Sequence, residues 1–346
     1  MQGLIVSSVA FFDASSSRVF RSEIPGRSDA QVGRSPGARK SGTQAPGAQD
    51  GLSDAIEWED IWNRSAGQYE LPKELEGISR KDAVHSIISL TDNAPQGFLN
   101  ALGAFPRATK GCRHDKLGLV ASSTPFVTGR PFTLFHNGSS YSSGAVGMAL
   151  SSTARPSAST AFPGLRPITG DLTVTGSEGN LIQELNNKNP SQLLLDAIQK
   201  SGLDGNSVKD HDFYIGVMQD GTPAQVYHIM SGDPSRGTIA LDSEVAPATG
   251  AIVQLFHGPA PGAVDVPKSY LEPQDDHKSM TFIASSMDCP VTAVPQPGSD
   301  EVQVIEGTFV ASSENGFLLS RCEDGIAEPT WKCTAPGGLA RLTWSD

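Results

Sequence analysis

The chain has 346 residues, 38% of them hydrophobic and 18% charged, and 38 acidic against 26 basic side chains give a net charge of -12. That length provides for roughly two domains with cores of their own. The acidic balance opposes non-specific nucleic-acid binding, which draws its affinity from a basic face, and apolar runs of only a few residues fall short of a bilayer span.

Residues 3–12, Gly-Leu-Ile-Val-Ser-Ser-Val-Ala-Phe-Phe, read as a buried strand. A strand set this early needs a partner further along, so the chain is expected to be a shortened form of a longer ancestor. Its start has neither the basic leader nor the long apolar stretch of a secretory signal. Residues 18–40 are basic among Ser, Gly and Pro and read as a flexible loop; Asp13, Glu23, Asp29 and Pro25 oppose a transit peptide. Residues 26–54 hold almost no large apolar side chain and are expected to be a disordered insertion. Residues 50–82 turn acidic, and Ile56, Trp58, Ile61 and Trp62 suggest a small amphipathic helix there.

Residues 83–90 form the next predicted strand, and 93–103 a helix capped by Asp92 or Asn93 with Pro95 in its first turn. A strand at 116–121 follows. Residues 132–136 and 145–150 are expected to pair around a Ser-rich turn at 137–144, and 171–175 with 180–185 repeat the hairpin theme. The clearest helix starts at Pro190, with Asn189 as N-cap and Gly202 where a left-handed cap belongs. Leu194, Ala197, Ile198 and Ser201 share one stripe of it, and Lys200 suits the dipole of its last turn. A meander of strands at 213–218, 226–230, 238–242 and 251–257 follows, then strands at 281–285, 302–305, 308–312, 316–320 and 339–344. Neighbouring strands joined by short turns pair antiparallel, so the fold class is α+β: two modules of mainly antiparallel sheet with a few packed helices.

Catalytic spacings are absent: no Gly-x-Ser-x-Gly elbow, His-Glu-x-x-His helix or Gly-x-Gly-x-x-Gly turn occurs. No catalytic residue, metal site or cofactor is therefore assigned. Gly37-Ala38-Arg39-Lys40-Ser41 has the wrong glycine spacing for a phosphate loop. The cysteines at 112, 289, 322 and 333 lack Cys-x-x-Cys spacing and read as reduced structural thiols, with a Cys322–Cys333 disulfide as the alternative. Asp210-His211-Asp212 and Asp275-Asp276-His277 read as solvated loops, and His228 as a half-buried strand residue.

The polar cluster His136-Asn137-Gly138 reads first as a tight turn in which Asn and Gly supply positive φ. Its functional reading is a pocket mouth. There Ser140, Ser143, their serine neighbours and backbone amides would hold a carboxylate or similar small polar group. Thr124, Thr128 and Arg130 lie just upstream, and Arg130 could supply a bidentate charge partner. The turn carrying Asp233 and Arg236, and the hairpin turn Glu314-Asn315-Gly316, join this site if they face the 136–144 turn across a domain cleft.

Two stretches resemble the FIST family. Phe132-Thr133-Leu134-Phe135-His136-Asn137-Gly138 through Gly144-Ala145-Val146-Gly147-Met148-Ala149-Leu150, with 172–185 and the Pro190 helix, is similar to its N-terminal half. Val226-Tyr227-His228-Ile229-Met230, Gly237-Thr238-Ile239-Ala240-Leu241, 250–256 and 307–317 resemble its C-terminal half. The resemblance implies a leading strand at 1–25, the insertion at 26–54, a FIST_N-like module at 55–205 and a FIST_C-like module at 206–346. It implies a non-catalytic sensory protein in signalling, binding a small-molecule ligand (an amino acid among the candidates) or a protein partner. A similar eukaryotic pair follows an F-box, which is absent at this chain's start; an adaptor role with ubiquitin-ligase components is the second reading. An uncatalogued hydrolase or transferase is the third. No nucleic-acid or membrane partner is expected, and the location is expected to be intracellular and cytoplasmic, with a mitochondrial one left open.

Overall fold

A computed structural model describes residues 7–23, 71–76, 78, 84–103, 114–151, 155–202, 212–233, 237–259, 270, 277–285, 304–323 and 326–345. The first half runs β1 (Ser17–Ser22), α1 (Lys73–Glu76), β2 (Ser86–Thr91), α2 (Gln96–Gly103), β3 (Asp115–Val120), α3 (Pro125–Thr128), β4 (Leu134–His136), β5 (Ser139–Tyr141), β6 (Ala145–Leu150), β7 (Ser157–Ala161) and β8 (Arg166–Pro167). The middle holds β9 (Leu172–Glu178), β10 (Leu181–Leu185), α4 (Pro190–Lys200), β11 (Phe213–Gln219), β12 (Thr222–Asp233), β13 (Thr238–Leu241) and β14 (Ile252–His257). The last part holds β15 (His277–Ala284), β16 (Thr308–Ser313), β17 (Phe317–Ser320), β18 (Cys322–Glu323), β19 (Ile326–Ala327), β20 (Trp331–Cys333) and β21 (Leu339–Ser345). Strand dominates, with few helices, in keeping with the α+β class.

Three sheets carry the architecture. Six strands in the order β1-β6-β2-β3-β17-β20 form the first, and four in the order β16-β15-β21-β7 form another. The remaining sheet runs β11-β12-β13-β10-β9-β14-β8, and β11 also pairs with β14, so six of its strands close into an antiparallel barrel. Closure removes the open edges that an isolated sheet exposes. Trp331 of β20 joins the three sheets: its ring lies 6.1 Å from Tyr227 of β12, 6.4 Å from Phe162 just after β7, and 5.8 Å from Phe317 of β17. One core cluster accordingly runs from Leu117 and Leu319 through Val174, Ile215 and Leu255 to Phe282 and Leu342. Strands from both sides of residue 205 meet in each of these three sheets. Local turn signals show which strands are neighbours in sequence, not which distant strands join them.

A row of small residues fixes the six-stranded sheet's second face. In register across it stand Phe20, Gly147, Ser89, Gly118 and Leu318. A Cβ on Gly147 would lie 2.6 Å from Phe20 Cζ, so the ring needs the bare glycine beneath it. The Phe20 ring then meets Phe98 of α2 at 5.8 Å, inside a smaller cluster with Leu75, Ile87 and Leu102.

Several expectations are corrected. No strand forms over the described residues 7–12, where Val9 and Phe11 are exposed; the first strand among the described residues is β1, which overlaps the segment read as a flexible loop. Phe20 and Ser22 of β1 are buried while Arg18 and Val19 are exposed, and this pattern outweighs an unbroken apolar run with no partner. Residues 132–136 do not pair with 145–150. Instead β4 turns back on β5, and β6 lies between β1 and β2. β2 and β3 are parallel, with α2 in the crossover, and β15 and β16 are parallel as well. The described residues of the expected strand at 302–305 have no strand structure. The insertion at 26–54, the helix around Trp58, and Cys112 and Cys289 lie outside the described residues. Cys322 and Cys333 are separate buried thiols, and burial pushes the Cys333 thiol up to about 12.

Candidate functional site

The carboxyl ends of the parallel strands β2 and β3 lie side by side, with Thr91 opposite Val120 and Ala145. The loops that leave such ends are where ligand-binding groups gather in sheets with a parallel crossover. Asp92 follows β2 and is buried; its carboxylate accepts the Ala94 N–H at 3.0 Å and the Gly144 N–H at 2.7 Å. Ala94 lies ahead of α2, whose Leu99 N–H donates to Pro95 O, so Asp92 closes the turn before the helix rather than capping it, and it also ties down the end of the 137–144 loop.

Leaving β3, residues 121–133 wrap around the short α3. Thr133 Oγ1 lies 2.7 Å from both Thr124 Oγ1 and Thr128 Oγ1, and Thr124 Oγ1 donates to Arg130 O at 3.1 Å. Arg130 Nη1 reaches across to Ser140 O and Ser142 Oγ, each at 3.2 Å. Three threonine hydroxyls and a guanidinium thus sit together beside the β4–β5 hairpin. The hairpin tip holds Asn137 at φ 48 and Gly138 at φ 75, the left-handed pair of a two-residue turn. His136 Nε2 lies 3.1 Å from Asn137 Nδ2 in solvent, so these two residues shape the tip, and Ser143 is exposed after it. Below, the Arg21 guanidinium stacks 3.6 Å from the Tyr141 ring centroid and pairs with Glu23.

The turn at 314–316 reaches this loop from about 190 residues away. Ser123 N donates to Glu314 Oε1 at 2.8 Å, Asn315 Nδ2 to Ala121 O at 2.8 Å, and Ser122 Oγ to Ser313 Oγ at 3.3 Å. Burial raises the Glu314 carboxyl, but hydrogen bonds from Ser122 and Ser123 outweigh it and hold the group below its ordinary range. The turn is a corner between sheets rather than the expected hairpin, since β16 pairs with β15 and β17 with β3. Gly316 takes φ 81 with Cys333 O against its α-carbon, a position that admits only glycine.

Asp233 closes β12 opposite Thr238, and its neighbours Gly232 and Gly237 pack against Ser191 and Asn189 at the start of α4. Its side chain and Arg236 lie outside the description. His228 is half-buried as expected, 5.3 Å from the Tyr214 ring and 3.4 Å from Asp212. Among the described residues no group of three His, Cys, Asp or Glu side chains could hold a metal ion. Sequence reasoning missed Thr133, which was read only as a strand residue, and the Arg21–Tyr141 stack, which needed the pairing of β1 with β6.

At the far end of the same sheet, Asp115 accepts the Cys322 N–H at 2.9 Å, while Arg155 Nη2 donates to Cys322 O at 2.6 Å. Burial raises Asp115, with the Cys322 N–H and Arg155 opposing. Next to it, burial and the Lys116 charge lower His114 to about 4.

No helix among the described residues is long and apolar enough to cross a membrane. No solved structure matches the chain. Two uncharacterised proteins, from Mycobacterium bovis and Mycobacterium tuberculosis, are each 33% identical over 107 residues. Each match spans 29% of this chain and only 27% of the relative's length. Residues 117–188, which run from β3 through the hydroxyl loop and hairpin to the lead-in of α4, match the model of the FIST N domain.

Proposed function

We propose that this chain is a non-catalytic sensory protein that holds a small polar ligand at the loops leaving β2 and β3. The FIST N domain match is consistent with a sensory, ligand-binding domain. The observation that carries the reading is the joint presentation of Thr124, Thr128, Thr133 and Arg130 beside the hairpin, on a loop gripped by Glu314 and Asn315. Hydroxyls and a guanidinium recognise a carboxylate or similar group without a nucleophile–base pair. Thr91 Oγ1, shielded at the end of β2 with no protein partner, is a further polar group at that base. A role for the hairpin tip (His136, Asn137), for Ser143, Asp233 and Arg236, and for a FIST_C-like second half belongs to this proposal.

The test is thermal unfolding against a metabolite panel that includes amino acids. A ligand at a hundredfold excess over its Kd stabilises the folded state by about 2.7 kcal/mol. The expected result is a rise in Tm that Arg130→Ala removes; no rise with any compound at millimolar concentration sinks the proposal. A second reading, an adaptor for a protein partner, is favoured by Phe126, Val127 and Phe135, which stand exposed at the same end. It expects partner capture that Phe126→Ser abolishes while the ligand response persists.

A further inference from the structure

The sequence holds two Asn-Gly pairs, Asn137-Gly138 and Asn315-Gly316. Both lie in turns that flank the hydroxyl loop, and the two glycines take similar positive φ values, 75 and 81. An Asn-Gly pair has one covalent reaction open to it without an enzyme. The glycine nitrogen attacks the side-chain carbonyl carbon of the asparagine, a C–N bond closes a five-membered imide, and the amide nitrogen leaves as ammonia. Glycine permits the approach because it has no Cβ to obstruct it. Water then opens the ring at either carbonyl, giving aspartate or its β-linked isomer.

The two pairs differ in how freely those atoms can move. Asn315-Gly316 is held. Gly316 N donates to Ser313 O at 3.2 Å, Asn315 Nδ2 donates to Ala121 O at 2.8 Å, and Cys333 O lies against the buried glycine. Asn137-Gly138 is open. Both of its residues are exposed, and a Cβ on Gly138 would meet nothing within 4 Å. They stand beyond the last rung of their ladder, His136 with Ser139. β4 and β5 form a ribbon of two short strands, and such a ribbon is marginal by itself, so its tip opens locally. A proton donor for the leaving nitrogen is at hand: His136 Nε2 lies 3.1 Å from Asn137 Nδ2, and imidazole is the side chain suited to proton transfer near neutrality. The product also fits. Asp220-Gly221 already occupies a turn at φ 49 and 78, against 48 and 75 for Asn137-Gly138, so an aspartate adds no strain there.

We propose that Asn137 is a site of self-deamidation, in which Gly138 N closes on the Asn137 side-chain carbonyl and His136 protonates the departing nitrogen. The glycine N–H proton passes to water, the ring proton leaves with the ammonia, and water restores it. Water is the only co-reactant, and nothing is oxidised or reduced. The outcome is a new carboxylate on the hairpin tip and, in the β-linked product, an extra carbon in the main chain of a two-residue turn. Its effect on a bound ligand rests on the function proposed above; the reaction itself does not.

The test incubates the folded full chain in neutral buffer and maps its peptides by chromatography and mass spectrometry, which separate the amide, acid and β-linked forms. The expected result is conversion at Asn137 at least about tenfold faster than at Asn315, the ratio that about 1.4 kcal/mol of extra opening cost produces. In urea both pairs are released and should convert at similar rates. His136→Gln should slow Asn137 severalfold in the folded chain, and Asn137→Asp should leave the urea midpoint unchanged. Equal rates at the two asparagines of the folded chain overturn the proposal, as does an Asn137 that converts only in urea. A His136→Gln chain that converts as fast as the parent removes the imidazole from the reaction, and a lowered midpoint for Asn137→Asp refutes the fit of the product.

Discussion

Replacing Asp92 by alanine removes a carboxylate that fastens both the turn ahead of α2 and the end of the 137–144 loop. Two N–H donors lose their acceptor, at 2.7 Å for the buried Gly144 and 3.0 Å for the half-buried Ala94. A buried donor left unsatisfied costs about 1–3 kcal/mol. Gly144 falls at the upper end because its N–H has no route to water, and Ala94 at the lower end because water partly replaces the lost acceptor. The expected destabilisation of Asp92→Ala is therefore roughly 3 kcal/mol. Asp92→Asn retains one carbonyl acceptor but turns its amide towards the other donor, and should lose about half as much. Urea unfolding by linear extrapolation measures both. A loss under about 1 kcal/mol for the alanine variant, the size of one ordinary exposed hydrogen bond, would falsify the assignment of Asp92 as the fastening of these loops.

Trp331→Ala should cost about 3–5 kcal/mol, because three sheets lose a common ring, and calorimetry should show the transition broaden as well as shift. Gly147→Ala should cost at least about 1–3 kcal/mol through collision with Phe20; an unchanged urea midpoint would refute the glycine row. His114 is held at about 4 against an ordinary 6.5 by burial and Lys116. The unfolded chain therefore binds the extra proton first, and the stability this His contributes is complete above pH 6.5 and lost as pH falls towards 4. A His114→Gln protein should show a shallower acid slope across that window. Glu314 is depressed, so its contribution is present above the ordinary carboxylate range and lost as pH falls through its folded value. Glu314→Gln should flatten that lower limb, and an unchanged profile would refute the hold on Ser122 and Ser123.

Legibility followed the range of the interactions. The α4 helix was readable because its signals are local: Asn189 accepts the Gln192 N–H at 3.0 Å, Pro190 opens the helix and Gly202 takes φ 72 after it. The Asn137-Gly138 turn was readable for the same reason. What failed was partner choice. β6 looks like the second arm of a hairpin, yet its alternation fits any neighbour, and β1 and β2 claim it. The glycine row across β6, β2 and β3 has no meaning until those strands are aligned. In the candidate site, Arg130 and Thr128 were visible as chemistry. Their link to Glu314 was raised only as a condition, because no local pattern encodes a contact between residues 123 and 314.

The barrel and the six-stranded sheet also differ in when they can form on a growing chain. Every barrel strand lies between Leu172 and His257, so that ring can close soon after its last residue is made. β3 is different: its outer neighbour β17 begins about 200 residues downstream, and at ordinary synthesis speed the wait is roughly 10–40 s. Through that interval the hydrogen-bonding side of β3, which carries the first turn of the hydroxyl loop, stays uncovered on the ribosome. Nascent chains halted short of Phe317 should therefore be the ones that chaperones hold and proteases find.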